Sequence, residues 1–129
     1  THQFCYALYP HNNPFQQSDV IEQAQQLNQA PLSLQGKPIT PIQPPVIVES
    51  ADVGLEVLKK AEKEDCLVLR VVERKGRKSE ATLRLTDSNL KLKSTDLMEW
   101  NDSGDAVGGE LKLTLKPFEI KTFKLSHAS

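Results

Sequence analysis

The residues in this chain that could do chemistry are few and scattered. Its histidines are His2, His11 and His127, with no HxxxH pair, and Cys5 and Cys66 lack the close spacing of a zinc site. No GxSxG motif presents a nucleophile. Cys5 lies between His2 and His11, but in an alternating apolar run where a small buried side chain is the simpler reading. Gly108-Gly109 reads as a hinge and not as a phosphate cradle. Two carboxylate pairs invite attention, Asp96 with Glu99 and Asp102 with Asp105. Glycosidases set two carboxylates roughly 5–10 Å apart about the bond they cleave. Acidic residues in a polar loop are ordinarily just solvated, and both pairs are read that way. Arg74, Lys75, Arg77 and Lys78 are read as a solvated loop tip. Trp100, the single tryptophan, could stack on a sugar ring, but a core or inter-layer position is expected. No catalytic, cofactor-binding or metal-ligating residue is assigned to the chain.

Composition narrows the partners. Sixteen basic residues against seventeen acidic ones give a net charge of −1. A nucleic-acid or anionic-membrane partner would favour a strong basic bias, so neither is expected. No apolar run approaches the ~18 residues of a membrane span, and no signal-peptide core is present. At 129 residues the chain is expected to be one domain with a real core. It starts at Thr1 and enters strand-like sequence almost at once, as a piece of a longer protein would. Cys5 and Cys66 are expected to be buried free thiols, which suits a reducing, cytoplasmic setting; a bridge between them stays open at this point.

The elements that would position these residues are mostly strands. Residues 2–9 (HQFCYALY) alternate and read as a strand, and 10–14 as a loop. Residues 18–27 form the one good helix, with Ser18 as N-cap and an apolar stripe of Val20, Ile21, Ala24 and Leu27. Asn28 and Pro31 stop it. Five of the eight prolines fall within 31–45, read as a crossing between layers with room for an edge strand at 32–34. Residues 46–49 read as a strand. Residues 53–62 fit a helix through Val53, Val57, Leu58 and Ala61, or a strand through Val53, Leu55, Val57 and Lys59. Their place between strands favours the strand, with 62–65 as a hairpin turn to the strand 66–73. Strands follow at 79–86 and 90–100, the second shifting phase near Ser94 as a bulge or break would, then a loop at 101–108. The last stretch, 109–125, reads as a strand pair: Leu111, Leu113 and Leu115 alternate with polar residues, Pro117 interrupts, and Phe118, Ile120 and Phe123 resume. Together these predict an all-β fold, an antiparallel β-sandwich with one short helix near the N-terminus.

Three stretches, in order, carry a family resemblance. His2-Gln3-Phe4-Cys5-Tyr6-Ala7-Leu8-Tyr9-Pro10-His11 fits the pattern H-x-F-x-Y-x-L-x-P-H. Val53 to Glu62 fits V-x-L-E-x-x-K-x-A-E, and leads into Leu67-Val68-Leu69-Arg70 and Glu73. Asp96-Leu97-Met98-Glu99 and Leu115 to Thr122 fit D-L-x-E and L-x-P-F-E-I-K-T. In these the chain resembles the C-terminal β-domain of glycoside hydrolase family 38, the α-mannosidases. The resemblance implies that 1–129 is a single β-sandwich domain, the C-terminal piece of a larger enzyme. That parent would hydrolyse α-mannosidic bonds with retention, using an aspartate nucleophile, an acid/base carboxylate and a divalent metal, usually zinc. Those groups belong to an N-terminal α/β domain that this chain lacks, so none is carried onto it, and the piece alone is expected to be inactive. Its partner would be its own catalytic domain, with Tyr6, Tyr9 and His11 as contacts at the interface or cleft wall. The α-mannoside would be met only through the parent. Two other readings compete: an independent carbohydrate-binding module with Trp100 exposed, and a non-enzymatic immunoglobulin-like interaction domain.

Overall fold

The computed structural model describes residues 1–29, 31–33, 35–36 and 43–127. The chain divides into two compact units, Thr1–Thr40 and Pro41–Ser129.

The second unit is the sandwich. Its strands are β1 (Val46–Glu49), β2 (Val53–Lys60), β3 (Leu67–Glu73), β4 (Ser79–Leu85), β5 (Leu90–Thr95), β6 (Asp102–Gly108), β7 (Glu110–Leu115) and β8 (Ile120–His127). One sheet has the order β1-β4-β7, the other β2-β3-β8-β5-β6, and every pairing is antiparallel. The all-β sandwich expected from the alternation is what forms. β4 shows why: Ser79, Ala81, Leu83 and Leu85 are buried, while Glu80 and Arg84 face solvent. Val46 of β1 and Leu115 of β7 join its inner face, with Leu111 and Leu113 packed against it. Across the interior stand Leu69 and Val71, Phe123 and Leu125, and Leu90 and Leu92. Each such side chain, fully buried, contributes about 1.5–3 kcal/mol relative to exposure.

Four expectations change inside this frame. First, 109–125 is not a strand pair. β7 pairs with β4, and β8 lies between β3 and β5 in the opposite sheet. The 116–119 turn carries the chain across the core, with Phe118 at φ 58°. Apolar alternation shows that a strand has a buried face but does not name its neighbour. Second, 101–108 is not a loop but holds edge strand β6. Between the pairs Leu92–Val107 and Ser94–Ser103, two steps on β5 oppose four on β6, so the irregularity near Ser94 is a bulge on the partner strand. Third, the strand reading of 53–62 holds, and Val53, Leu55, Val57 and Lys59 are less exposed than Glu56, Leu58 and Lys60, but the four do not share one face. A bulge at Glu56 puts Leu58 opposite the buried Leu69, and Val57 opposite Arg70 on the other side. Fourth, β5 ends at Thr95, and the 96–100 segment turns.

Among its described residues the first unit contains a 3-10 turn, Phe15–Gln17, and one helix, α1 (Val20–Asn28). Residues 2–9 take no regular structure. Alternation places side chains, but a strand needs a neighbour to complete its ladder, and residues 2–9 enter no ladder among the described residues. Asp19, not Ser18, occupies the N-cap position, while the Ser18 hydroxyl donates back to the Phe15 carbonyl at 2.9 Å. Residues 31–33 are not strand; the rest of the proposed edge strand at 32–34 lies outside the described residues.

Candidate functional site

Two surfaces gather the residues that could act. The first belongs to the N-terminal unit. The Tyr9 hydroxyl donates to Asp19 Oδ1 at 2.9 Å, and Gln23 Nε2 donates to Asp19 Oδ2 at 3.1 Å, which ties the 2–9 segment to the start of α1. The Gln23 and Tyr9 bonds hold the Asp19 carboxyl below the usual range, and the same carboxylate raises the Tyr9 phenol. The ring of Tyr9 stacks on that of His11 at 6.4 Å, and His11 Nδ1 donates to the Asn13 carbonyl at 2.6 Å. Tyr6 stacks instead on Phe4. Sequence reasoning named Tyr6, Tyr9 and His11; the structure brings Tyr9 and His11 together and sets Tyr6 with Phe4. It missed Asp19, whose signal was a carboxylate at the head of the helix. Leu8, Tyr9, Val20, Ala24 and Leu27 line an apolar groove of about 480 Å³, and Leu8 is 94% exposed.

The second surface is the outer face of the five-stranded sheet. Arg70 of β3 and Lys124 of β8 point outward there, between apolar neighbours that point inward. Glu99 Oε1 meets Arg70 at 2.6 Å and Lys59 at 2.9 Å. Lys124 is buried and bonds Glu64 at 2.6 Å and Asp102 at 2.8 Å. Asp102 first, then Glu64, drive the Lys124 ammonium far above its ordinary value, and the Asp102 carboxyl is lowered in return. Above this floor the 96–100 turn presents Trp100, 61% exposed, with Lys63 Nζ 4.4 Å from its ring centroid. The expected core tryptophan is therefore a surface one, because the strand ends five residues before it. A cleft of about 250 Å³ lies between this turn and the 62–65 loop. Lys59, Arg70 and Lys124 were not singled out from sequence, although a cation inside an apolar strand run was a visible signal.

The remaining sequence candidates serve the fold. Asp96 caps its own turn, accepting from Trp100 N at 2.9 Å and Asn101 Nδ2 at 2.6 Å, and Asp102 is the ion-pair partner of Lys124. The 74–78 loop is not simply a solvated tip. Lys75 is buried, Arg74 pairs with Glu56 at 2.7 Å, and Arg77 with Asp52 at 2.6 Å. Both thiols are free, Cys5 exposed and Cys66 half-buried, so the expectation that both are buried is corrected. Burial pushes the Cys66 thiol up. Among the described residues no group of three or more His, Cys, Asp or Glu is arranged to hold a metal ion. No described helix is long and apolar enough to cross a membrane.

The antiparallel sandwich of the second unit, with its ion-paired outer face, is of the small β-sandwich class. Comparison with known proteins makes the class particular. Residues 52–123 match the glycosyl hydrolases family 38 C-terminal beta sandwich domain, and the chain belongs to that family. It is 33% identical over 132 residues to alpha-mannosidase 2C1 of Mus musculus and, equally, to that of Homo sapiens. It is 30% identical over 137 residues to alpha-mannosidase G of Dictyostelium discoideum. Each alignment covers 96% of this chain, but only 12–13% of the relative.

Proposed function

We propose that this chain is a non-catalytic supporting domain of a longer α-mannosidase-like hydrolase, and that it packs on the catalytic part of that protein. The observation that carries this is the exposed apolar groove of the N-terminal unit, lined by Leu8, Tyr9, Val20, Ala24 and Leu27. Phe4, Tyr6, Leu8 and Leu32 are each more than 80% exposed. An exposed apolar groove of this kind marks a contact surface. The chain accounts for an eighth or so of its relatives' length, so the remainder of such a protein is the natural occupant of the groove. Tyr9 and His11, held by Asp19 and Asn13, would form the polar rim of that contact. Catalysis by retention, with a divalent metal, would reside in the remainder. The two free thiols suit a cytoplasmic setting, and the near-neutral charge suits a partner that is neither nucleic acid nor membrane.

The test is a pair of measurements. The isolated chain should not hydrolyse aryl α-mannosides, with or without added zinc. In the full-length protein, Leu8→Asp with Leu27→Asp should loosen the junction, so that limited proteolysis releases the domain faster while its own strands stay folded. Metal-dependent turnover by the isolated chain, abolished by a carboxylate substitution within it, would overturn the proposal.

A further inference from the structure

The Trp100 cleft is a site of a different kind from the groove, and its residues play no part in the contact just proposed. Leu97, Met98 and Trp100 are all more than half exposed on one five-residue turn. The turn is held from within: Asp96 accepts from Trp100 N and Asn101 Nδ2, the Glu99 N–H donates to the Asp96 carbonyl at 3.1 Å, and the Asp96 N–H to the Asn101 carbonyl at 3.2 Å. Glu99 sits at φ 67°, a left-handed conformation that a non-glycine residue adopts at a cost. Glu99 bonds the cations of the sheet floor, while Trp100 stands in solvent at the rim.

The floor is polar and ion-paired. Both cation contacts of Glu99 fall on Oε1, which leaves Oε2 to accept from a ligand. Lys124 is fixed between Glu64 and Asp102. The lining charges nearly cancel: Lys59, Lys63, Arg70 and Lys124 stand against Glu62, Glu64 and Glu99, with Asp102 behind Lys124. A phosphate would meet carboxylates there, and a polycation would meet ammonium groups. A ligand rich in hydroxyls, which donate and accept at once, satisfies both signs. The indole supplies an apolar face for the C–H side of a ring; the Lys63 ammonium, which lies over that ring at 4.4 Å on an exposed side chain, must swing aside to admit one. About 250 Å³ falls below the ~300–1,000 Å³ of drug-sized pockets and admits one ring. We infer that the cleft between the 62–65 loop and the 96–100 turn is a monosaccharide-binding subsite for one uncharged pyranose, with Trp100 as its stacking platform and Glu99 and Glu64 as hydroxyl partners.

Hydrogen–deuterium exchange on the full-length protein tests this, because it reads binding in the segment itself and does not depend on what the parent hydrolyses. The probes are millimolar methyl pyranosides of the manno, gluco, galacto and N-acetylglucosamine series, with inorganic phosphate as the control. At least one pyranoside should slow exchange in peptides spanning 62–65 and 96–101. Trp100→Ala should weaken that protection at least fivefold in apparent Kd, and Trp100→Phe should restore part of it. The exposed position of Trp100 makes both variants foldable, which an unchanged Tm would verify. The inference is overturned if no pyranoside changes exchange in either segment, if Trp100→Ala leaves the protection intact, or if phosphate protects equally. It is overturned too if both segments are already protected in the sugar-free full-length protein, since the cleft would then be an interface.

Discussion

Glu73 closes β3 with its side chain fully buried, yet its carboxyl is held below the ordinary glutamate range. Burial alone would push its pKa up. Four backbone N–H groups outweigh that: Phe118 at 2.9 Å, Lys75 and Gly76 at 2.8 Å, and Arg77 at 3.3 Å. The net shift is downward from the ordinary glutamate value of 4.5. One carboxylate thus joins the 74–78 loop to the 116–119 turn that crosses between sheets. Its folded pKa is depressed, so its contribution is complete above the unfolded value and is lost as pH falls through the folded one. Glu73→Gln should therefore cost about 2–3 kcal/mol at pH 7. It should also flatten the loss of stability seen when wild-type protein is acidified below about 4.5, as urea midpoints across that range would show. Asp52 and Asp102, lowered by Arg77 and Lys124, keep some of the slope. Gly76 is the companion test. Its φ is +72°, and a Cβ there would come 2.7 Å from the Phe118 ring. Gly76→Ala should cost at least the ~1–2 kcal/mol of a left-handed non-glycine residue, read as a fall in Tm.

At the scale of elements, the placement of β7 is what the fold turns on. Thr82 and Lys112 are register partners across β4 and β7, and antiparallel partners lie about 4.5–5.5 Å apart at Cα. Thr82→Cys with Lys112→Cys, in a Cys5→Ser, Cys66→Ser background, should close an intramolecular disulfide on mild oxidation. Mass spectrometry before and after alkylation checks it; failure to close would put β7 elsewhere. Leu115→Ala should cost about 2–5 kcal/mol, because Leu115 is fully buried in β7. Ile120→Ala, at a half-exposed position in β8, should cost under about 1 kcal/mol. The same strands show how much was legible beforehand. β4 and β7 alternate without fault and could be read directly. β2 and β6 could not, for one reason: each carries extra residues in a bulge, which breaks the period of two on which strand reading rests. In β2 the break mimicked helical spacing, and in β6 the five successive exposed residues from Asp102 to Ala106 mimicked a loop.

At the scale of the whole molecule, the two units present different surfaces. The sandwich exposes a face of matched charges, and the N-terminal unit exposes aromatics and leucines. Removing residues 1–40 from the full-length protein should therefore weaken docking of the domain without unfolding the sandwich, whose core draws wholly on residues after 41. Circular dichroism of the truncated chain beside a proteolysis time course of the full-length variant separates the two effects.

The sequence by itself determined the class of fold and the family, because both rest on local order: alternation that marks strands, and short motifs that keep their spacing. It also showed the absence of any nucleophile or metal motif. Tertiary structure decided which strands are neighbours, since alternation is silent about partners. It decided that Trp100 stands in solvent, because that depends on where β5 ends. It decided too that Glu99, Arg70, Lys59, Lys124 and Glu64 meet on one sheet face, since residues from 59 to 124 reach each other only through a register that no local pattern encodes.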